Sequence, residues 1–137
     1  MAIAIALLFS KIVFKSYKDE KVMESMGNIY LLQYGSYVNK DVMNEMVKKL
    51  DNYIIYEEDN KYYVYLGAYI NLETARKMQK IYFDKGIHTY IKNDFLTDSK
   101  LMSNIKELDL GILNENDNEK ILIINDKILK LLKNSIS

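Results

Sequence analysis

The stretches "YLLQYGSY" (residues 30–37) and "YYVYLGAY" (residues 62–69) say nearly the same thing twice, and the fold follows from that repetition. Gly35 and Gly67 lie 32 positions apart, and at the same offset Tyr37 matches Tyr69, Asn39 matches Asn71, Met46 matches Met78 and Leu50 matches Tyr82. Each copy opens with a run of Tyr, Val, Leu and Ile, residues that favour a strand. A glycine is expected to end each run. Asn39 and Asn71 are then placed to cap a helix, because an asparagine side chain satisfies the free amides of a first turn.

A helical stripe follows each cap. In "DVMNEMVKKLDN" it consists of Val42, Met43, Met46, Val47 and Leu50, and in "LETARKMQKIYFDKG" of Leu72, Ala75, Met78, Tyr82 and Phe83. Gly86 stands where a helix reverses through a left-handed residue. A second strand candidate follows each helix, "YIIYEE" at 53–58 and "IHTYIK" at 87–92, and "EEDNK" (57–61) is a polar turn between units. The order βαβ–βαβ predicts an α+β fold: a four-stranded antiparallel sheet in the split βαβ arrangement, with both helices on one face. The other face has no helix of its own.

Residues 94–137 have a different character. "DSKLMSNIKELDLG" reads as a helix capped by Asp98, with Leu101, Ile105 and Leu108 on one side and Gly111 as its stop. In "ENDNEKILIINDKILKLLKN" the stripe is Ile121, Ile124, Ile128 and Leu131. Acidic Glu115, Asp117 and Glu119 at its start and Lys127, Lys130 and Lys133 near its end suit the helix dipole. The two stripes predict a C-terminal helical hairpin in which they pack on each other; the alternative is that they cover part of the domain or meet another protein.

Composition removes several functions. With 19 basic and 19 acidic residues the net charge is zero, which argues against a broad electrostatic grip on nucleic acid. There is no cysteine and one histidine, so thiol chemistry and histidine metal clusters are excluded, and no cofactor is expected. The N-terminal "MAIAIALLFSKIVF" is apolar apart from Ser10 and Lys11. It is shorter than the roughly 20 residues of a spanning helix, and no basic region precedes it as in a signal peptide. Residues 1–17 read as the C-terminal part of a membrane anchor or signal-anchor, with 18–27 as a polar connector. The alternative is a buried helix or strand of the domain.

Period-two counting puts Leu32 and Tyr34 on one side of the first strand, with Leu31 and Gln33 on the other. In the third strand Val64 and Leu66 oppose Tyr63 and Tyr65. With the aliphatic pair turned to the helices, Gln33, Tyr63 and Tyr65 meet on the open face, and Ser36 lies at the strand end. An amide beside tyrosine rings suits carbohydrate, whose apolar faces stack on rings and whose hydroxyls bond amides. The same residues also suit ordinary strand structure with a solvated glutamine.

"IYLLQYGSY" resembles the opening motif of the SPOR domain family: hydrophobic, Gln, hydrophobic, Gly, small residue, aromatic. "YYVYLGAY" resembles its mid-domain motif, and "ETARKMQKIYFDKG" its Glu-Ala helix ending in Gly. The resemblance covers about 28–93. It implies the βαββαβ fold and a non-catalytic domain that binds peptidoglycan, with a preference for glycan strands stripped of stem peptides. Such strands accumulate at division septa and in sporulating cells. It also implies glycan contacts at the positions of Gln33, Ser36, Lys61, Tyr63 and Ile91. This sequence has Tyr63 where many members have Arg, Lys61 where some have Trp, Ala68 for Pro and Met43 for a small residue. The fold tolerates these changes. The lost Arg removes a donor to the glycan and leaves Tyr63 and Tyr65 to compensate by stacking.

The function expected is therefore a glycan-binding module held at the outer face of a bacterial membrane. A second expectation is a protein-interaction module of the envelope, with a partner at the C-terminal helices. An RNA-recognition module shares the sheet plan and its aromatics. Against it stand nine basic and eight acidic residues between Asn28 and Asn93, too balanced for a basic rim. His88 is a lone histidine with a structural reading. Glu57, Glu58 and Asp59 sit together in a turn, whereas a glycoside hydrolase needs two carboxyls across a cleft.

Overall fold

The computed structural model describes residues 27–135. The expected anchor over 1–17 and the connector up to residue 26 lie outside them. The elements are β1 (Asn28–Tyr37), α1 (Lys40–Met46) with a 3-10 turn (Val47–Lys49), β2 (Ile54–Glu58), β3 (Lys61–Tyr69), α2 (Leu72–Asp84), β4 (Tyr90–Phe95), α3 (Ser99–Asn114) and α4 (Asn118–Ser135). The strands form one sheet in the order β2-β3-β1-β4, with every neighbouring pair antiparallel. This is the expected split βαβ sheet with a C-terminal helical hairpin. Among the described residues no helix is long and apolar enough to cross a membrane.

The strands do not end at the repeated glycines. β1 runs on to Tyr37 and β3 to Tyr69. In each copy a tyrosine two residues after the glycine shares its face, since side chains alternate along a strand. Its ring folds back across the glycine. A Cβ at Gly35 would collide with the Tyr37 hydroxyl and ring, and one at Gly67 with those of Tyr69. The repeated Gly-x-Tyr is thus a packing unit within a strand.

Local signals act as their chemistry requires at several points. Asn39 caps α1 by accepting from the amides of Asp41 and Val42, and Asp98 caps α3 by accepting from Leu101. Asp59 and Asn60 both have positive φ, and the register pairs Glu58 with Lys61 across them, the two-residue turn that matches strand twist. Gly86, at φ +82°, closes α2, where the amides of Gly86 and Ile87 return to the carbonyls of Phe83 and Tyr82. Because Ile87 is used in that closure and is buried, β4 begins at Tyr90 and not at 87.

The helical stripes differ from the expected ones. α1 tightens after seven residues, so Met43, Val47 and Leu50 turn inward while Val42 and Met46 stay exposed. Ile81 replaces Phe83 on the buried side of α2. Gly111 does not stop α3, which continues to Asn114.

The C-terminal hairpin shares the domain's core. Asp109, in the middle of α3, is fully buried. Its carboxylate accepts from the amides of Ile70 (2.7 Å) and Asn71 (3.0 Å), from Asn71 Nδ2 (2.9 Å) and from the Thr74 hydroxyl. Asn71 occupies the N-cap position of α2 but makes no side-chain cap bond of its own. In return, Lys77 of α2 donates to the carbonyls of Ile112 (2.7 Å), Leu113 (3.3 Å) and Glu115 (2.7 Å) at the end of α3. Asn125 of α4, also buried, accepts from the Tyr69 hydroxyl and donates to the Leu66 carbonyl (2.9 Å) and the Tyr82 hydroxyl (3.2 Å).

Replacing Gly67 with Ala is expected to cost roughly 1–3 kcal/mol, the range for overpacking a filled core. The Tyr69 ring is fully buried and tied to Asn125, so it has nowhere to move. Gly35→Ala is expected to cost less, because the half-buried Tyr37 ring can swing outward. Urea unfolding midpoints of the two variants check this order.

Candidate functional site

The pairing register decides which side chains share the second face of the sheet. Gln33 of β1 lies opposite Tyr65 of β3 and Tyr90 of β4, and Ser36 lies opposite Tyr63. On the far side of β3, Tyr56 pairs with Tyr63, and Ile54 with Tyr65. Gln33, Ser36, Lys61, Tyr63 and Tyr65 therefore do come to one face, joined by Tyr56, Tyr90 and Lys92. The Tyr56 and Tyr63 rings stack with centroids 6.0 Å apart, and Lys92 Nζ stands 5.6 Å from the centroid of Tyr63.

Ile91 does not belong to this group. It pairs with Leu32, and Leu32, Gly67 and Tyr69 share the face that packs on the helices. With β4 beginning at Tyr90 opposite Gln33, the even-numbered residues of β4 take the Gln33 side. Lys92, one position further on, pairs with Leu31 and so takes the Gln33 face in place of Ile91. Two irregularities also interrupt the period-two count, between Leu32 and Gln33 and between Gln33 and Gly35. Leu66 is skipped in the pairing of β1 with β3, so Gly67, not Leu66, shares the face of Leu32. Tyr34 is likewise skipped, and its hydroxyl donates to the Met46 carbonyl of α1.

The face is not open along its length. Gln33 is only 4 % exposed, and Ile29, Leu31, Tyr56 and Tyr65 are fully buried. Accessible surface is confined to a rim. Ser36, Lys61 and Tyr90 are exposed, with Tyr90 at 55 %, while Tyr63 and Lys92 are half-buried. The expectation of an exposed Gln33 thus fails: its amide lies beneath this rim, where a passing ligand does not reach it.

Electrostatics follow from that burial. Removal from water raises the Tyr65 hydroxyl far above its usual range, and the charge of Asp94 adds to the rise, with smaller effects from Tyr63, Tyr90 and Glu58. Tyr65 is therefore a neutral donor, and among the described residues its hydroxyl has no hydrogen-bond partner. Asp94, opposite Ile29, is itself pushed above the usual carboxylate range, chiefly by burial. The Phe95 amide, which donates to its Oδ1 at 2.8 Å, and the ammonium of Lys92 oppose that rise, while Glu58 adds to it. Among the described residues no group of three or more His, Cys, Asp or Glu is placed to hold a metal ion.

The shift at Asp94 has a sign that can be measured. A carboxyl whose folded pKa is raised binds its proton more readily in the folded state, so stability falls as pH rises from the ordinary carboxylate pKa through the folded one. Asp94→Asn removes this dependence and keeps the oxygen that accepts from Phe95. The variant is expected to match the parent at low pH and to gain stability relative to it as pH rises to neutrality. Thermal unfolding of both proteins across pH 3 to 7 (roughly the carboxylate window) checks the trend.

The chain was compared with protein-family models, curated proteins and solved structures, and none matches it.

Proposed function

We propose that the chain is a non-catalytic module that binds peptidoglycan glycan strands at sites of wall remodelling, in division or sporulation. The N-terminal segment would hold it at the outer face of a bacterial membrane. The observation that carries the reading is the rim of the Gln33 face, where Tyr63, Tyr90 and Lys92 come together beside Ser36 and Lys61. Aromatic rings present flat apolar surface with a polar tip, which suits the alternating apolar faces and hydroxyl edges of a sugar chain. Lys92 stands in the region where the SPOR-like pattern lacks its Arg. It supplies donors there, though as an ammonium and not as a planar fork. The resemblance of residues 28–93 to SPOR domains supports the same reading.

A second reading is supported by a different observation. Gln33 and Tyr65, two of the groups expected to meet glycan, are buried, and the C-terminal helices share the core. On this reading the chain is a protein-interaction module of the cell envelope that keeps the fold without the sugar site, with its partner at the C-terminal helices.

Co-sedimentation of residues 22–137 with purified sacculi, before and after amidase digestion, separates the two. The glycan reading expects pelleting to rise after digestion. Tyr63→Ala and Lys92→Ala are each expected to weaken it by about tenfold, equivalent to about 1.4 kcal/mol, while Ile91→Val leaves it unchanged. A folded protein that does not pellet, with or without digestion, overturns the glycan reading and leaves the interaction reading.

A further inference from the structure

A cavity of about 240 Å³ opens where the loop after α1, the C-terminal end of α2 and the first half of α4 meet. It lies on the helix side of the molecule, away from the Gln33 face, so a ligand bound there is independent of the function of that face. Leu50, Ile87 and Leu122 give it an apolar wall. Asp51, Asp126, Lys49 and Lys85 give it charges of both signs. Among the described residues none of these four is ion-paired, the ion pairs there being Lys48–Glu45 and Lys80–Asp84. Lys49 has its Nζ 5.9 Å from the centroid of the Tyr34 ring, which leaves Lys85 as the ammonium of the wall without a partner among the described residues.

Tyr82 completes the lining and is only 8 % exposed. Its hydroxyl accepts from Asn125 Nδ2, but its own proton has no acceptor among the described residues. Burial and then the charge of Asp126 push its pKa up to about 12; Asn125 pulls it down and Asp51 adds to the rise. The hydroxyl therefore keeps its proton at neutral pH, and both carboxylates lie within electrostatic reach of it. A buried donor left unpaired is costly, so an acceptor arriving from the cavity would be favoured.

Unpaired charges of both signs around an apolar wall are complemented by a ligand that carries both signs and an apolar group. The volume is below the roughly 300 Å³ at which pockets for drug-sized molecules begin. We propose that this cavity binds a small zwitterion of amino-acid size with an apolar side chain. Asp51 and Asp126 hold its ammonium, Lys85 and the Tyr82 hydroxyl hold its carboxylate, and Leu50, Ile87 and Leu122 receive its side chain.

Amide NMR of the full chain during titration with leucine and with phenylalanine tests this. N-acetyl-leucine, which lacks the ammonium, and leucine methyl ester, which lacks the carboxylate, serve as controls. The expected result is saturable shifts confined to residues 49–52, 82–87 and 122–126. Both blocked compounds, and the variants Asp126→Asn and Lys85→Gln, are expected to bind about tenfold or more weakly, the scale of one lost charged contact. Both substitutions alter exposed side chains, so unchanged spectra elsewhere will show that the fold is kept. No saturable shift at these residues with either amino acid, or equal binding of the blocked compounds, overturns the proposal.

Discussion

The structure depends on an exchange of charges between two helices. α3 gives the carboxylate of Asp109 to the start of α2, and α2 gives the ammonium of Lys77 to the end of α3. Each charge sits where a helix dipole favours it, a carboxylate near an N-terminus and an ammonium near a C-terminus. A carboxylate accepts several bonds and an ammonium donates three, so each is close to fully used. Leaving a buried charge with fewer partners is costly. The exchange therefore fixes the spacing of the two helices and makes the C-terminal hairpin part of the domain.

The second fixed point is Asn125. β2 stops pairing at Ile54 opposite Tyr65, and β3 continues beyond it to Tyr69. Asn125 bonds to this continuation at the Leu66 carbonyl and the Tyr69 hydroxyl, and reaches Tyr82 of α2 from the same amide. One side chain thus ties α4 to the sheet and to its neighbouring helix. An unpaired strand end invites pairing with another chain, and α4 packs against this one. The same arrangement explains why Gly67 matters: Tyr69 reaches Asn125 only by lying back across a residue with no Cβ.

Much of this was legible in the sequence because the duplication repeats local signals that agree with one another. Asn39, Asp98, Gly86 and the Asp59–Asn60 turn act through their own backbone neighbourhood, and they do what their chemistry predicts. What escaped was non-local. Asp109 and Asn125 stand on helices where a polar residue ordinarily faces water, and only the partners brought by the tertiary fold turn them inward. The irregularities at Tyr34 and Leu66 insert residues that no alternation count anticipates. The register of β4 on β1, which pairs Tyr90 with Gln33 and Ile91 with Leu32, puts Tyr90 and Lys92 on the candidate face and Ile91 on the other.

For function, this means that the candidate face is set by register and not by motif alone, with a buried tyrosine and glutamine floor under a thin accessible rim. It also means that the C-terminal helices support the domain that carries this face, and one of them walls the mixed-charge cavity. Both depend on the hairpin and the βαββαβ sheet forming one cooperative unit. Native-state hydrogen exchange of the full chain tests that unity most directly. In one unit the most protected amides of α3 and α4 exchange with the same free energy and denaturant dependence as those of β1 and β3, and the Ile70 and Asn71 amides bonded to Asp109 exchange with them. If α3 and α4 open together at a much lower free energy while the sheet stays closed, the hairpin is an appendage and the unity of the domain is contradicted.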